Sequence, residues 1–327
     1  MRVTRGILAG VSACLLAATV AGPATAATET GRTRPAPIIV TEQASDRVVV
    51  LDSTKRWANP NATLWSWQPG VDSDTGDTST SWGLPDDARL RTGADGRQYV
   101  LVTDSYGLLA SVPYPDKGPV AWSVDVGRSP NPHGIELLPD GNIAVAASNG
   151  SWIRVYTASQ GRHSGTFVEA ALPGAHEVWW DARLTVLWAI GDHLLVKYAV
   201  GGTPAAPTLT QQASYTLPTN WGHDLGPVPG DPDRLWLTTV YGVHQFQKST
   251  GKFVGFPRQR ELYALNIKSV GTDAATGTVL ETTPKAGNPC SWCTDSVDLF
   301  VGADGTQEKV LPGAQIYRAR WFDEESS

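Results

Sequence analysis

A unit of about forty residues recurs along the chain, and it constrains the fold more than any other feature of the sequence. Copies begin NPHGIELLPDGN at Asn131, GAHEVWWDARLTVLWAI at Gly174, WGHDLGPVPGDPDRLWLTT at Trp221 and ALNIKSVGTDAATGTVLETT at Ala264. Each copy contains an apolar run, a turn rich in Asp, Gly or Pro, a second apolar run and a further Gly-containing turn. Four short strands in a repeat of this length are typical of one blade of a β-propeller.

The number of repeats predicts an all-β, six-bladed β-propeller with four-stranded blades, and seven blades are the minor alternative. The second turns of the units centre near Asp46, Tyr106, Gly150, Gly191 and Gly242, and a sixth copy joins TVLETT to SVDLFVGADG. The first unit opens at Ile38 on what corresponds to a second strand. We predict that Ile316 to Phe322 supplies the missing strand, because closing the ring removes an open sheet edge. Alternatively, this segment is the outer strand of the last blade.

The N-terminus has the pattern of a secretory signal peptide. Arg2 and Arg5 precede an apolar run from Ile7 to Ala21, and Ala24-Thr25-Ala26 is a small-x-small cleavage site. A lipoprotein box at Cys14 is the alternative, although apolar residues continue beyond that cysteine. The predicted organisation is a signal peptide at 1–26, a disordered lead-in at 27–37, one propeller domain at 38–323 and a tail at 324–327. The mature protein is expected to be secreted and extracellular.

Charge and hydropathy exclude several classes of partner. The chain carries a formal net charge of −6 and has no Lys/Arg cluster longer than a pair, so binding to nucleic acid or to anionic lipid is not expected. No segment after the signal approaches the roughly 20 apolar residues of a membrane-spanning helix. We expect a soluble monomer whose partner is a small molecule or a polysaccharide.

Cys290 and Cys293 are the two cysteines that remain after signal cleavage. In an oxidising compartment a CxxC segment in a loop favours a local disulfide. A redox pair would need a helix N-terminus, and a zinc site would need two more ligands.

The chain has 13 tryptophans, of which about ten are assigned to packing between sheets. Trp221 and Trp292 lie in loops and are the better candidates for contact with a ligand, for example by stacking on a sugar ring.

Three of the six histidines occupy one repeat position, which is expected to line the central channel. His133, His176 and His223 are predicted to converge on the axis, with Lys268 on the next blade. Gln315 is expected to complete this ring, and Asp87 or Asp86 represents the second blade. Three imidazoles suit one divalent metal such as Zn²⁺, Mn²⁺ or Ca²⁺. A metal-free pocket, or a polar lining for a wet channel, is the alternative.

Charged residues accompany the histidines. If strand alternation holds, Glu177 and Asp224 point away from the channel and orient the imidazoles from behind. Arg89 and Arg320 with Lys268 would favour an anionic ligand. The candidate catalytic residues are His133, His176, His223, Lys268 and Arg320, and the candidate ligand-binding residues are Asp87, Arg89, Trp221, Trp292 and Gln315.

The segments PHGIELLPDGNIAVA, GHDLGPVPGDPDRLWLTT, WCTD and YRARWF resemble secreted propeller proteins of soil actinobacteria and fungi, a family of unknown function. The resemblance covers nearly the whole mature chain and implies a propeller and export, but no reaction. In architecture alone the ring is similar to two types of propeller lyase. Peptidyl-hydroxyglycine amidating lyases hold zinc with three axial histidines, and oligogalacturonate lyases hold manganese with histidines and a glutamine, which Gln315 would match. The sequence motifs of both are absent.

Two functions are consistent with these patterns. The first is a metal-assisted lyase or hydrolase acting on extracellular acidic polysaccharide, with Lys268 or an axial arginine holding negative charge. The second is a non-catalytic propeller that binds a glycan or a cell-surface component.

Overall fold

The computed structural model describes Met1, residues 33–70, 80–262 and 264–324, and Ser326. The predicted signal peptide, apart from Met1, lies outside the described residues. Residues Thr33–Ser327 form one compact unit. Within the described residues, no helix is long and apolar enough to cross a membrane.

Within the described residues, twenty-four strands form six antiparallel sheets of four strands each. Blade 1 contains β1 (Ile38–Glu42), β2 (Arg47–Leu51) and β3 (Thr63–Trp67), together with the C-terminal strand β24 (Ile316–Trp321). Blade 2 contains β4 (Pro85–Thr92), β5 (Gln98–Asp104), β6 (Leu108–Tyr114) and β7 (Trp122–Asp125). Blade 3 contains β8 (Pro132–Leu137), β9 (Ile143–Ala147), β10 (Trp152–Tyr156) and β11 (Phe167–Ala171).

Blades 4 to 6 continue the same order from the axis outward. Blade 4 contains β12 (Glu177–Asp181), β13 (Val186–Ile190), β14 (Leu194–Thr203) and β15 (Ala206–Thr216). Blade 5 contains β16 (Gly222–Pro227), β17 (Arg234–Thr239), β18 (Gly242–Gln247) and β19 (Lys252–Val254). Blade 6 contains β20 (Ser269–Thr272), β21 (Val279–Thr282), β22 (Ser296–Val301) and β23 (Gly305–Val310). The prediction of six four-stranded blades is confirmed.

The closing strand is where the sequence places it. β24 pairs antiparallel with β1, with Ile38 opposite Trp321 and Val40 opposite Ala319. The strands β24, β4, β8, β12, β16 and β20 contact one another in sequence around the axis. This pairing covers the edge that β1 would otherwise expose, so the ring closes on itself.

An apolar cluster fills each of the six interfaces between neighbouring blades. Trp321 packs with Val297 between blades 1 and 6, and Trp188 packs with Leu225 between blades 4 and 5. Eight tryptophans are buried, whereas Trp221 and Trp292 are 46% and 44% exposed. The prediction that most indoles serve packing and that these two do not is therefore confirmed.

The predicted ends of the propeller need correction. Ala36 is buried, and its N–H donates to Asp273 Oδ1 at 3.0 Å. Ser326 is buried, and its Oγ accepts from Ala274 N at 2.9 Å. These contacts attach part of the predicted lead-in and part of the predicted tail to blade 6.

Truncation before Gly313 should unfold or aggregate the protein, because loss of β24 opens the ring and exposes the edges of two blades. Truncation after Ser326 keeps both β24 and the contact of Ser326 with blade 6, and it is the matched control. Size-exclusion chromatography and thermal unfolding check this. A monomeric protein with an unchanged Tm after the longer deletion would contradict ring closure by β24.

Candidate functional site

One residue from each blade surrounds the axis at one mouth of the channel. These six residues, which we call the axial ring, are Tyr317, Asp86, His133, His176, His223 and Lys268, each at or next to the start of an inner strand. The histidine part of the ring and Lys268 agree with the sequence prediction. Of the two aspartates considered for blade 2, Asp86 is the ring member.

Contacts join five of the six members of the axial ring into a closed circuit. The imidazoles of His133 and His176 stack with centroids 4.5 Å apart, and those of His176 and His223 are 4.6 Å apart. Lys268 Nζ is 3.0 Å from His223 Nε2 and 5.5 Å from the centroid of the Tyr317 ring. Tyr317 Oη completes the circuit at 3.3 Å from His133 Nδ1.

β-Bulges set the direction of three ring side chains. The register shifts between Pro85 and Asp87, between Pro132 and Gly134, and between Gly222 and Asp224, so Asp86, His133 and His223 are each an extra residue in their strand. An extra residue breaks the alternation of faces. A ring residue and its successor can therefore both point towards the axis, at different depths.

This local geometry corrects the prediction for the acids. Glu177 and Asp224 do not turn away from the axis to orient imidazoles. Glu177 Oε1 is 2.8 Å from Arg89 Nη2, and Asp224 Oδ1 is 2.7 Å from Arg320 Nη2. The imidazoles of His176 and His223 are instead held through Nδ1 by the carbonyls of Gly174 and Trp221, at 2.8 and 3.1 Å.

A layer of four guanidinium and four carboxyl groups fills the channel below the axial ring. We call it the charge plug, and its members are Arg89, Arg91, Arg318, Arg320, Asp87, Glu136, Glu177 and Asp224. Arg320 bridges Asp87, Glu177 and Asp224. With all eight groups ionised the plug is neutral. Gly134 is needed beside it, since a Cβ there would come within 2.4 Å of Glu177 Oε1.

The charge plug also fixes the ring above it. Arg318 donates to the carbonyl oxygens of His133 and His223 at 3.2 and 3.0 Å. The backbone of two ring histidines is thus attached to the closing strand through one guanidinium.

Three predicted ligand-binding or catalytic residues belong to the plug and do not line the cavity. Asp87 and Arg89 have fully buried side chains, and that of Arg320 is 5% exposed. Each is engaged by opposite charges. They support the site from beneath, which corrects their assignment to ligand contact.

Gln315 is also misplaced by the sequence argument. Its backbone N–H donates to Glu42 Oε1 at 2.8 Å, and its side-chain oxygen is 3.8 Å from Cys290 Sγ. Tyr317 holds the ring position on β24 instead. Gln315 was predicted because Gly313-Ala314-Gln315 resembles Gly174-Ala175-His176, but the structure places the ring member two residues later, at Tyr317.

A cavity of about 720 Å³ opens above the ring. His133, His176, Lys268, Tyr317 and Asp86 line its floor, and Trp292 lines its wall. Trp221 lies outside this lining, so its predicted ligand contact is not at the cavity. His223 faces Lys268 and does not line the cavity either.

All three imidazoles are held neutral. Burial lowers the pKa of His176 to about 4, and Arg318 and Lys268 add to the effect. Burial, and the repulsion that a protonated His176 would exert, also lower the pKa of His133 and of His223. Because Nδ1 of His176 and of His223 donates to a backbone carbonyl, the lone pair of each ring is on Nε2.

Lys268 is an amine buried without a carboxylate partner. It forms no ion pair within the described part of the chain, and its Nζ contacts His223 Nε2 at 3.0 Å. Burial, assisted by Arg318, lowers its pKa to about 8. An amine in this state can exchange protons near neutral pH.

The arrangement of the imidazoles does not fit a metal ion. Among the described residues, no group of three or more His, Cys, Asp and Glu side chains is placed to hold one. His133 and His176 stack with planes 14° apart, so their lone pairs do not meet. The amide of Asn131 occupies Nε2 of His133 at 2.8 Å, and Lys268 occupies that of His223. A bound Zn²⁺, Mn²⁺ or Ca²⁺ stays a prediction, which elemental analysis of the purified protein would check.

Trp292 is held at the cavity by two constraints. Cys290 and Cys293 are joined by a disulfide with Cα atoms 5.5 Å apart, as the sequence predicts. Within this loop Trp292 Nε1 donates to Gln43 Oε1 at 3.0 Å. One face of the indole is thereby kept at the wall of the cavity.

The chain belongs to a family of propeller proteins whose function is not established. Residues 11–326 match the Family of unknown function (DUF6528). No curated protein matches the sequence.

Several solved structures align with this chain at low sequence identity. A protein of unknown function from Bacteroides caccae superposes with a TM-score of 0.55 at 11% identity, covering 88% of this chain and 98% of its own. Virginiamycin B lyase from Staphylococcus aureus is 16% identical with a TM-score of 0.47, covering 86% and 85% of the two chains. Dihydro-heme d1 dehydrogenase NirN is 12% identical with a TM-score of 0.46, covering 88% and 55%. Identities this low show the fold alone.

Arg320→Met should destabilise the protein by about 3–5 kcal/mol, because it removes the ion-pair partner of the buried Asp224 carboxylate and one of the partners of Asp87 and Glu177. Arg97→Met is the matched control, since Arg97 is 81% exposed and 3.9 Å from Asp95. Denaturant unfolding of both variants measures the difference. Equal stabilities would show that the plug does not support the fold.

Proposed function

We propose that this protein is a secreted enzyme that uses the axial ring for acid–base catalysis, with metal-independent β-elimination on uronate-containing polysaccharide as its reaction. The observation that carries the proposal is the buried amine of Lys268 at the cavity floor, in contact with His223 behind it. Burying an amine without a carboxylate partner costs desolvation energy. Amines whose pKa is lowered in this way are typical of proton acceptors at functional sites.

The neutral amine of Lys268 is the base in this proposal. It donates one N–H to the lone pair on His223 Nε2, which leaves its own lone pair free to face the cavity. His223 keeps that orientation because the carbonyl of Trp221 holds its other nitrogen.

Tyr317 is the acid. The side-chain N–H of Asn131 donates to His133 Nε2, so the proton of that imidazole is on Nδ1 and is directed at Tyr317 Oη. The phenol then accepts from His133 and directs its own O–H towards the cavity. Burial raises the pKa of Tyr317, so the phenol stays protonated at neutral pH.

Proton and electron movements balance in the proposed step. Lys268 takes the proton from the carbon next to the substrate carboxylate, and the electron pair forms a carbon–carbon double bond. The neighbouring carbon–oxygen bond breaks, and the leaving oxygen takes the proton of Tyr317. Proton return from Lys268 to Tyr317 through solvent resets the site.

A non-catalytic glycan-binding propeller is the second candidate. Trp292 favours it, because a fixed and half-exposed indole at a cavity wall provides a face on which a sugar ring can stack. Binding of an acidic oligosaccharide without any unsaturated product would support this alternative over elimination.

Export is part of the proposal. The signal-peptide pattern at 1–26 and the disulfide between Cys290 and Cys293 both support it. N-terminal sequencing of protein recovered from culture medium tests it.

Activity is expected to rise with pH through about 8, because Lys268 must lose its proton to act as a base. No loss is expected below about pH 10, since the pKa of Tyr317 is raised above that of an ordinary phenol. The measurement is ultraviolet absorbance of unsaturated product from acidic polysaccharides across this pH range. A rate that falls as pH rises from 7 to 9 would contradict the role of Lys268.

Lys268→Met and Tyr317→Phe should each lower kcat about 100-fold or more, because each removes one partner of the proton transfer. Lys268 has no ion pair to lose, so the variant is expected to keep its fold by circular dichroism. Lys252→Met, on the exposed edge of β19, is the matched control and should keep full activity. Retained turnover in Lys268→Met would eliminate this base.

A further inference from the structure

Arg128 is a cation at the cavity that the sequence argument missed. Its side chain lines the same cavity as Lys268 and is exposed to solvent. Its guanidinium carbon is 3.5 Å from the centroid of the Tyr106 ring. Within the described residues, the guanidinium has no hydrogen bond and no ion pair, so its donors are available to a ligand.

Two turns of blade 2 place this guanidinium over the ring. Gly107 and Gly127 pack directly against each other, because a Cβ on Gly107 would come within 2.6 Å of the Gly127 backbone. Val126 N donates to the carbonyl of Gly107 at 3.0 Å in the same contact. Tyr106 precedes Gly107, and Arg128 follows Gly127. The contact between the two glycines therefore brings the Arg128 guanidinium next to the aromatic ring of Tyr106.

The aromatic ring of Tyr106 is itself fixed. Its backbone N–H donates to Asp104 Oδ1 at 2.7 Å. Gly83 makes room for the ring, because a Cβ at that position would lie 2.5 Å from Tyr106 Cε2. Arg128 is therefore preorganised on an aromatic support, which lowers the conformational cost of binding an anion.

We propose that Arg128 and Tyr106 form the carboxylate-binding subsite of the cavity, and that this subsite selects uronate-containing over neutral saccharides. The inference rests on the proposed function for its substrate class. A planar guanidinium whose donors are unused can bind a carboxylate through two parallel N–H···O bonds. Lys268 is engaged by His223 at the floor, so the two cations have separate tasks.

Binding can be measured without turnover at about pH 6, where Lys268 is protonated and the proposed base is inactive. The probes are a galacturonic acid trisaccharide and its methyl ester, with isothermal titration calorimetry as the readout. Arg128→Gln should weaken binding of the acid about tenfold and leave the ester unchanged. Tyr106→Leu should weaken the acid by less, because the cation stays but loses its support.

Arg154→Gln is the matched control. Arg154 also stacks on an aromatic ring, with its guanidinium carbon 4.0 Å from the centroid of Trp152, but it is paired with Glu169 at 2.8 Å and lies outside the cavity lining. It should bind both probes like the unaltered protein. The preference for the acid should also shrink with added salt, since Arg128 is exposed to solvent.

The subsite is overturned if Arg128→Gln binds the acid within twofold of the unaltered protein, if it loses the acid and the ester equally, or if the unaltered protein does not bind the acid. These outcomes are separate from failure of the elimination reaction. That failure would appear as acid-selective binding that depends on Arg128, without any unsaturated product at pH 9.

Discussion

The charge plug is the interaction on which the rest of this propeller depends. Its eight groups come from β24, β4, β8, β12 and β16, and each pairing crosses from one inner strand to another or links neighbours on one strand. Buried ion pairs are weak evidence for stability in themselves, because desolvation offsets attraction. The contribution of these ion pairs to the specificity of blade arrangement matters more here than their contribution to stability. Any misplaced blade would leave a buried charge unpaired, so the plug favours one arrangement of blades around the axis.

The same plug creates the conditions of the axial ring. It closes the channel, so the cavity has a floor, and Arg318 adds positive charge directly beneath the imidazoles and Lys268. That charge, together with burial, lowers the pKa of His176 and of Lys268. The site therefore combines neutral imidazoles, a weakly held proton on an amine and a phenol that keeps its proton. Successive residues of one strand belong to different layers. On β24, Tyr317 belongs to the axial ring and the next residue, Arg318, belongs to the charge plug.

The repeat predicted the blades, the closing strand and the meeting of His133, His176, His223 and Lys268, because each depends only on register within a copy. It did not predict the residues whose positions depend on irregularities. The bulges at Asp86 and His223 let the acids that follow them, Asp87 and Asp224, face the axis, against simple alternation. Tyr317 was not predicted as a ring member because it lies two residues after Gln315, the residue that sequence similarity matches to His176. Arg128 was missed because its place depends on a contact between two turns of blade 2.

β24 also determines when the site can exist. This strand supplies Tyr317, Arg318 and Arg320, and the residues that precede it along the chain make up all the other strands. During synthesis the ring histidines and Lys268 are therefore produced before Tyr317, which contacts His133 and Lys268, and before Arg318 and Arg320 of the charge plug. A chain still emerging from the ribosome has the histidines and Lys268 but lacks Tyr317 and a complete cavity floor. The axial ring is therefore complete only when the propeller closes, so a folding intermediate with an open ring would not contain the whole cavity floor.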